Sequence, residues 1–249
     1  MPLPLAPLSL PGLFVTGTDT GVGKTLIAAA IARWFFLRGQ RVAALKPVAT
    51  GCPHRREGLV SEDAEILAAA GEVRFPLDLI CPNRYAEPLA PSVAARRVQK
   101  PVDWEAVQRS IRLMTPASDV MIIEGAGGAM TPADERLLMR DIPAALRVPA
   151  VIVARASLGT INHTLMTIES LRAVNVHVAG VVLNCYPTDQ VGVAEETAAG
   201  EIERLGRVSV LAIVPNEPGA SLPTAAVMAA IDPVDWFARL SSPSGPLSR

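Results

Sequence analysis

The densest chemistry in the chain lies in Gly17-Thr-Asp-Thr-Gly-Val-Gly-Lys-Thr25. Closely spaced glycines let a backbone curl until several N–H groups converge on one anion. An apolar run, Leu13-Phe14-Val15, leads in, and a helix-like run from Leu26 to Leu37 leads out. A helix starting here would aim its positive dipole end at the same point. Lys24 is then placed to reach β- and γ-phosphates, and the Thr25 hydroxyl to bind Mg²⁺, which is the layout of a P-loop. Two departures narrow the reading. Thr18 stands at the first position of the G-x-x-x-x-G-K-[ST] spacing, followed by Asp19. Leu26 stands where a dinucleotide-binding G-x-G-x-x-G would need its third glycine, so that pattern fails. The competing reading, a structural turn beside a solvated lysine, leaves the flanking strand and helix unexplained.

Three more stretches bring charge to strand or helix ends. Lys46 follows the strand-like Arg41–Leu45 and is held at its exit by Pro47, which cannot extend a ladder. Ligands of open α/β sheets bind outside such carboxyl ends, although a solvated lysine also fits there. Glu124 closes the apolar run Val120–Ile123 and is followed by Gly125-Ala-Gly-Gly128, the place of a Walker-B-type acid. A salt bridge to a nearby base is the alternative. Ser61 is a helix N-cap, and Asp63 behind it is either a dipole-complementing acid or a metal ligand; the residues leave that open. Finally, no acid occurs from Ile142 to Ile168, and Gly159 sits at a strand-to-helix junction with Arg155 nearby. Such a junction is a ready anion site, or an ordinary turn capped by Thr160.

The elements that must position these groups alternate along the chain. Helices are expected over Lys24–Arg38 (ended by Gly39), from Ser61, from Asp103 with the stripe Val107, Ile111 and Met114, from Ser157 to near Val174, and over Glu195–Leu205. A last helix is expected over Thr224–Leu240, with Pro233 as a break point. Further strands are expected at Ala150–Ala154, Val178–Leu183 and Val208–Val214. The proline-rich Phe75–Ser92 is an excursion with at most one short strand near Leu77–Cys81, and Ala129–Leu146 is a mixed, flap-like segment. Together they predict one α/β domain, a doubly wound, mostly parallel sheet with helices on both faces, over 13–240. Residues 1–12 form an extended arm and 241–249 a flexible tail.

Bulk properties bound the function. A chain of 249 residues that is 50% hydrophobic can bury a large core without staples. A net charge of −1 offers no footprint for nucleic acid or an anionic membrane. Cys52, Cys81 and Cys185 lack metal-ligand spacing and read as free thiols of a cytoplasmic protein. The proline-broken N-terminus is not a signal peptide, and no run is long enough to span a bilayer.

Taken together, Thr16–Thr25, Lys46-Pro-Val48 with Thr50-Gly51, Glu124–Gly128 and Leu158-Gly-Thr-Ile-Asn-His163 closely resemble the dethiobiotin synthases, in order and with similar spacing from about Leu13 to beyond Pro215. Asp19, in place of a signature lysine, separates the chain from the partition ATPases of the same superfamily. The resemblance implies a P-loop NTPase that converts 7,8-diaminononanoate, CO₂ (or bicarbonate) and ATP, with Mg²⁺, to dethiobiotin, ADP and phosphate. A carbamate and then a carbamic-phosphoric anhydride are the implied intermediates. It assigns ATP to Gly21, Val22, Gly23, Lys24, Thr25 and Leu26, to Asp63, Glu124, Gly125, Ala126 and Gly127, and to Asn184 at the adenine with Val214, Pro215 and Asn216. It assigns Mg²⁺ to Thr25, Asp63 and Glu124. Lys24 and Lys46 become catalytic, and Lys46 also meets substrate with Thr20 and Thr50. The diamine's carboxylate falls to Leu158, Gly159, Thr160 and Asn162, across a homodimer interface. The chain departs from the family at Pro91-Ser92-Val93, where Ser-Pro-His is frequent, and after Gly128, where a bulky aromatic residue is missing. A cobyrinate-type amidation synthetase and a partition-type ATPase are the competing readings. The first normally carries a glutamine-hydrolysing domain for which there is no room; the second conflicts with Asp19.

Overall fold

The computed structural model describes residues 4–240; the expected tail, 241–249, lies outside the described residues. β1 (Gly12–Gly17) enters the glycine loop and α1 (Lys24–Leu37) leaves it. β2 (Val42–Leu45) follows, then the two-residue strands β3 (Val48–Ala49), β4 (His54–Arg55) and β5 (Gly58–Leu59). Next come α2 (Glu62–Gly71), α3 (Leu77–Ile80), β6 (Asn83–Arg84), α4 (Pro91–Arg97) and α5 (Trp104–Met114), leading to β7 (Val120–Gly128). α6 (Asp141–Leu146), β8 (Ala150–Arg155), α7 (Thr160–Arg172), β9 (Val178–Tyr186), α8 (Val193–Gly206) and β10 (Val210–Pro215) continue the alternation. α9 (Ala225–Ile231) and α10 (Trp236–Arg239) close it.

Six strands form one all-parallel sheet in the order β10-β9-β8-β1-β7-β2. Side chains along a strand alternate between faces, and β1 shows the consequence. Leu13 and Val15 pack with Ile27, Ile31 and Ile122 under α1 and α2. Phe14, one residue out of phase, packs with Ile123, Ile152 and Ile168 on the opposite face. Both faces are covered, which is why the strands read as continuous apolar runs.

Several local expectations hold. The chain reverses after α1 at Gly39, whose φ is +78°. Ser61 Oγ accepts from Ala64 N at 3.2 Å, and Asp103 Oδ1 from Ala106 N at 2.8 Å, capping α2 and α5. Val107, Ile111 and Met114 are buried. The terminal helix is interrupted around Pro233.

Two expectations are corrected. Leu77–Cys81 is not a strand: Leu77–Ile80 is one helical turn entered through Pro76. The strand of the excursion is Asn83–Arg84, paired in parallel with Val48–Ala49. Apolar runs this short do not reveal their period. Glu124 does not end its strand either; β7 continues to Gly128, which pairs with Gly17 beyond a bulge in β7. The described part of the arm, from residue 4, lies against the domain, with Leu5 buried and Leu8 N donating to Leu146 O at 2.9 Å. Among the described residues no helix is long and apolar enough to cross a membrane.

Candidate active site

Sheet register decides which charged groups meet. β1 lies between β7 and β8, and β2 borders β7, so four carboxyl ends open on one edge. Val15 pairs with Glu124 and Leu45 with Ile123. Lys46, one residue past β2, is therefore level with Glu124, one residue past Ile123. The glycine loop leaves β1 immediately beside both.

The loop is built around left-handed glycines. Gly21 has φ +73° and Gly23 φ +89°, a region that costs any residue with a Cβ. Gly23 has a second reason to be glycine, because a Cβ there would collide with the Asn184 amide. That amide donates to Val22 O at 2.9 Å and supports the loop from below. Arg155, at the end of β8, donates to Gly21 O at 2.7 Å. Lys24 Nζ donates to Asp19 O at 2.9 Å, arching over the loop. Burial pushes the Lys24 ammonium down to about 8, only partly offset by Glu124.

At the start of α1 the Thr25 hydroxyl lies 2.9 Å from Asp63 Oδ1 and 2.8 Å from Glu124 Oε1. Lys46 Nζ lies 2.7 Å from Asp63 Oδ2 and 2.8 Å from Glu124 Oε1, and donates to Gly125 O at 3.2 Å. Lys46 and Glu124 are 3% and 1% exposed. Burial alone would lower the Lys46 pKa, but Glu124 and Asp63 outweigh it and raise it. Burial raises the Glu124 carboxyl against the opposing pull of Lys46, whereas Lys46 and Thr25 overcome burial to lower Asp63. Removing one member of such a buried pair costs about 3–5 kcal/mol, because the other charge is left unpaired. The salt-bridge reading of Glu124 is thus realised, with Lys46 as the partner.

Thr20, Gly21, Gly23, Lys24, Thr25, Lys46, Thr50, Asp63, Glu124, Ala126 and Gly127 line one cavity of 340 Å³. Gly125 sits behind it, where a Cβ would strike the Phe14 ring. Val22 is buried in the loop, and Leu26 is half-buried against the α1-side core. A neighbouring cavity of 360 Å³ separates the loop entrance from α7, lined in part by Thr18, Asp19, Met130, Thr131, His163 and Met166. The donor set suits Mg²⁺. It offers hard oxygens from Thr25, Asp63 and Glu124, and Glu124 Oε2 is buried with no hydrogen-bond partner. No group of three or more His, Cys, Asp or Glu converges among the described residues. That is too few for an all-protein cage, and right for a cation shared with phosphates.

Other expected site residues lie elsewhere. Val214 is fully buried in the α1-side core and cannot line an adenine pocket with its side chain. Asn184 is 3% exposed and engaged with the loop, outside the cavity. Pro215 is half-buried, and Asn216 is exposed with its N–H on Tyr186 O at 2.8 Å. Strand ends look alike in sequence; which side chain turns inward depends on pleat and bulges, and β10 carries two register shifts against β9. The Leu158–Asn162 turn is also outside the cavity: Leu158 is 87% exposed and Asn162 is exposed. Gly159, not Thr160, is the N-cap of α7, with no side chain capping it, and the Thr160 hydroxyl is buried without a partner. Arg155 is the contact that the assigned set omitted. Its signal was the same as that of Lys46 and Glu124, a charge at the end of an apolar run.

A family model described as an AAA domain matches residues 11–224. The ATP-dependent dethiobiotin synthetase of Anaeromyxobacter dehalogenans (strain 2CP-1) is 42% identical over 208 residues, 83% of this chain and 91% of that protein. The enzyme of the same name from Thermodesulfovibrio yellowstonii is 36% identical over 211 residues, 82% of this chain and 88% of that one. Among solved structures, the MinC:MinD cell division protein complex of Aquifex aeolicus matches with a TM-score of 0.57 at 17% identity, over 96% of this chain and 98% of that chain. At that identity the likeness is one of fold alone. At 36–42% identity over more than four-fifths of its length, the chain belongs to the family of ATP-dependent dethiobiotin synthetases.

Proposed function

We propose that the protein closes a cyclic urea on 7,8-diaminononanoate, using CO₂ and ATP with Mg²⁺, to give dethiobiotin, ADP and phosphate. The observation that carries this is the convergence of Lys24, Thr25, Lys46, Asp63 and Glu124 on the glycine-loop cavity, in a chain whose relatives are named for that synthesis. One amine of the diamine adds to CO₂ and loses a proton to become a carbamate. A carbamate oxygen attacks the γ-phosphorus, and ADP leaves. The second amine attacks the carbonyl of the resulting anhydride, loses its proton and expels phosphate.

No side-chain nucleophile is needed; the residues position anions and neutralise charge. The loop amides from Gly21 to Thr25 and the α1 dipole hold phosphates, with Lys24 above them. Mg²⁺ on Thr25, Asp63 and Glu124 would neutralise phosphate charge. Lys46 is held at the junction of P-loop and cavity, where it can face both carbamate and γ-phosphate. Its burial keeps water from a hydrolysable anhydride. Thr20 and Thr50 offer hydroxyls to the amines. The Leu158–Asn162 turn is assigned the remote carboxylate, gripped from the partner subunit of a homodimer. Its exposure and its uncapped helix start support that reading.

Mass spectrometry of the products formed from diaminononanoate, bicarbonate and ATP tests the proposal. The cyclic urea should appear with one phosphate released per ring closed. ATP hydrolysis without the urea would overturn it.

A further inference from the structure

Three of the four carboxylate oxygens at the site are already committed to protein donors. Asp63 Oδ2 and Glu124 Oε1 hold the Lys46 ammonium, and Asp63 Oδ1 shares the Thr25 proton with Glu124 Oε1. The fourth, Glu124 Oε2, has no partner, so a cation held by both acids must still draw on an Asp63 oxygen that is already engaged. The two acids cannot hold a buried ammonium at salt-bridge distance and also a divalent cation, because like charges would then sit a few ångströms apart in a water-poor site.

Lys46 can leave only by rotating its side chain. Its backbone N–H is bound to Ile80 O at 2.7 Å, and Pro47 follows. The alternative partner within the same cavity is an anion in the glycine loop, since Lys46 and the loop line one space. Lys24 differs, resting on the neutral Asp19 carbonyl rather than on a carboxylate.

We infer that Lys46 is the gate of the metal site: it occupies the Asp63 and Glu124 oxygens against free divalent cations and yields them when a nucleoside triphosphate offers its phosphates. This rests on the assignment of Thr25, Asp63 and Glu124 to the metal, and adds an order to it. Metal enters with the nucleotide or after it. The same movement carries the ammonium toward the phosphates, so the lysine becomes available for chemistry only when the cation is in place.

The test uses the full chain, with Mn²⁺ as the probe of the metal site and AMP-PNP as the nucleotide. Free Mn²⁺ is read by electron paramagnetic resonance. Wild type should bind Mn²⁺ weakly alone and much more tightly with AMP-PNP. Lys46→Gln keeps N–H donors for the two carboxylates and removes the charge. It should bind Mn²⁺ alone about tenfold tighter than wild type or more, a coupling of the usual size between linked sites. Asp63→Asn added to Lys46→Gln should erase that gain. Equal Mn²⁺ affinity in wild type and Lys46→Gln would overturn the gate, as would wild-type affinity indifferent to AMP-PNP. If Asp63→Asn and Glu124→Gln leave Mn²⁺ binding with AMP-PNP unchanged, the metal assignment itself falls, and the gate with it. Nuclear magnetic resonance of lysine ammonium groups in wild type needs no variant to fold. Mg²⁺ alone should leave the Lys46 signal in place, and Mg²⁺ with AMP-PNP should move it; an equal shift from Mg²⁺ alone would overturn the gate.

Discussion

Two lysines face the same cavity but differ in what holds them, and so their removal should differ in kind. Lys24 rests on a carbonyl, whereas Lys46 is clamped by two carboxylates. Lys24→Ala should chiefly weaken ATP binding. Lys46→Ala should chiefly slow the chemical step, by about 10²–10³, the usual loss for one charge-stabilising donor. Single-turnover kinetics beside equilibrium ATP binding separates the two, and near-normal turnover of Lys46→Ala would remove it from the mechanism. Lys24 also predicts a pH dependence. In the free protein its pKa is depressed to about 8, by burial. Phosphates favour the charged form, so binding raises it. Below pH 8 the lysine is already charged and ATP affinity should be flat. Above pH 8 a proton must be taken up, and affinity should fall toward tenfold per pH unit. Calorimetry at pH 8.5 in two buffers of different ionisation enthalpy should show proton uptake that Lys24→Met abolishes.

At the scale of elements, the glycine loop depends on neighbours from β8 and β9. Gly23→Ala would place a Cβ in the left-handed region and against the Asn184 amide. Strain of this type costs about 1–3 kcal/mol, and about 2–4 °C of Tm follows each kcal/mol in a domain of this size. Adding Asn184→Ala should recover part of the loss by making room, and a thermal melt of the three variants reads this directly. Arg155 holds the Gly21 carbonyl outward, which leaves the neighbouring amides free to face the cavity. Arg155→Ala should raise KM for ATP several-fold with little change in kcat, and Arg155→Lys should restore part of it. A fall in kcat at unchanged KM would contradict that role.

At the scale of the whole molecule, the α7 turn is the group assigned to the diamine that the protomer leaves outside the cavity. Asn162, exposed on that turn, can be changed without burying a charge, and Asn162→Asp would set a negative charge where the diamine's carboxylate is expected. KM for the diamine should rise at least tenfold while ATP binding stays within twofold, a contrast that like-charge repulsion at a recognition site produces. Mixing Asn162→Asp with Lys46→Ala subunits should rebuild one working site per heterodimer. Mixed dimers that form without recovering activity would exclude a site shared between subunits.

The alternation of strands and helices, the glycine loop, the caps at Ser61 and Asp103 and the charges at strand ends were all legible in the sequence, because each rests on residues adjacent in the chain. Left-handed glycines, N-caps and apolar runs are local facts. The sequence left Glu124 between metal ligand and ion pair, Asp63 between ligand and dipole complement, and Lys46 between ligand and solvated side chain. Those choices depend on which strands are neighbours. The order β8-β1-β7-β2 sets Lys46 level with Glu124 and brings Asp63 from α2 onto both. The same holds for the errors. Leu77–Cys81 was too short to show a period, and β7 ran on past Glu124 because a bulge lets Gly128 pair with Gly17. Burial then gave the cluster its energetics, since only a water-poor strand edge makes one lysine and two acids depend on each other.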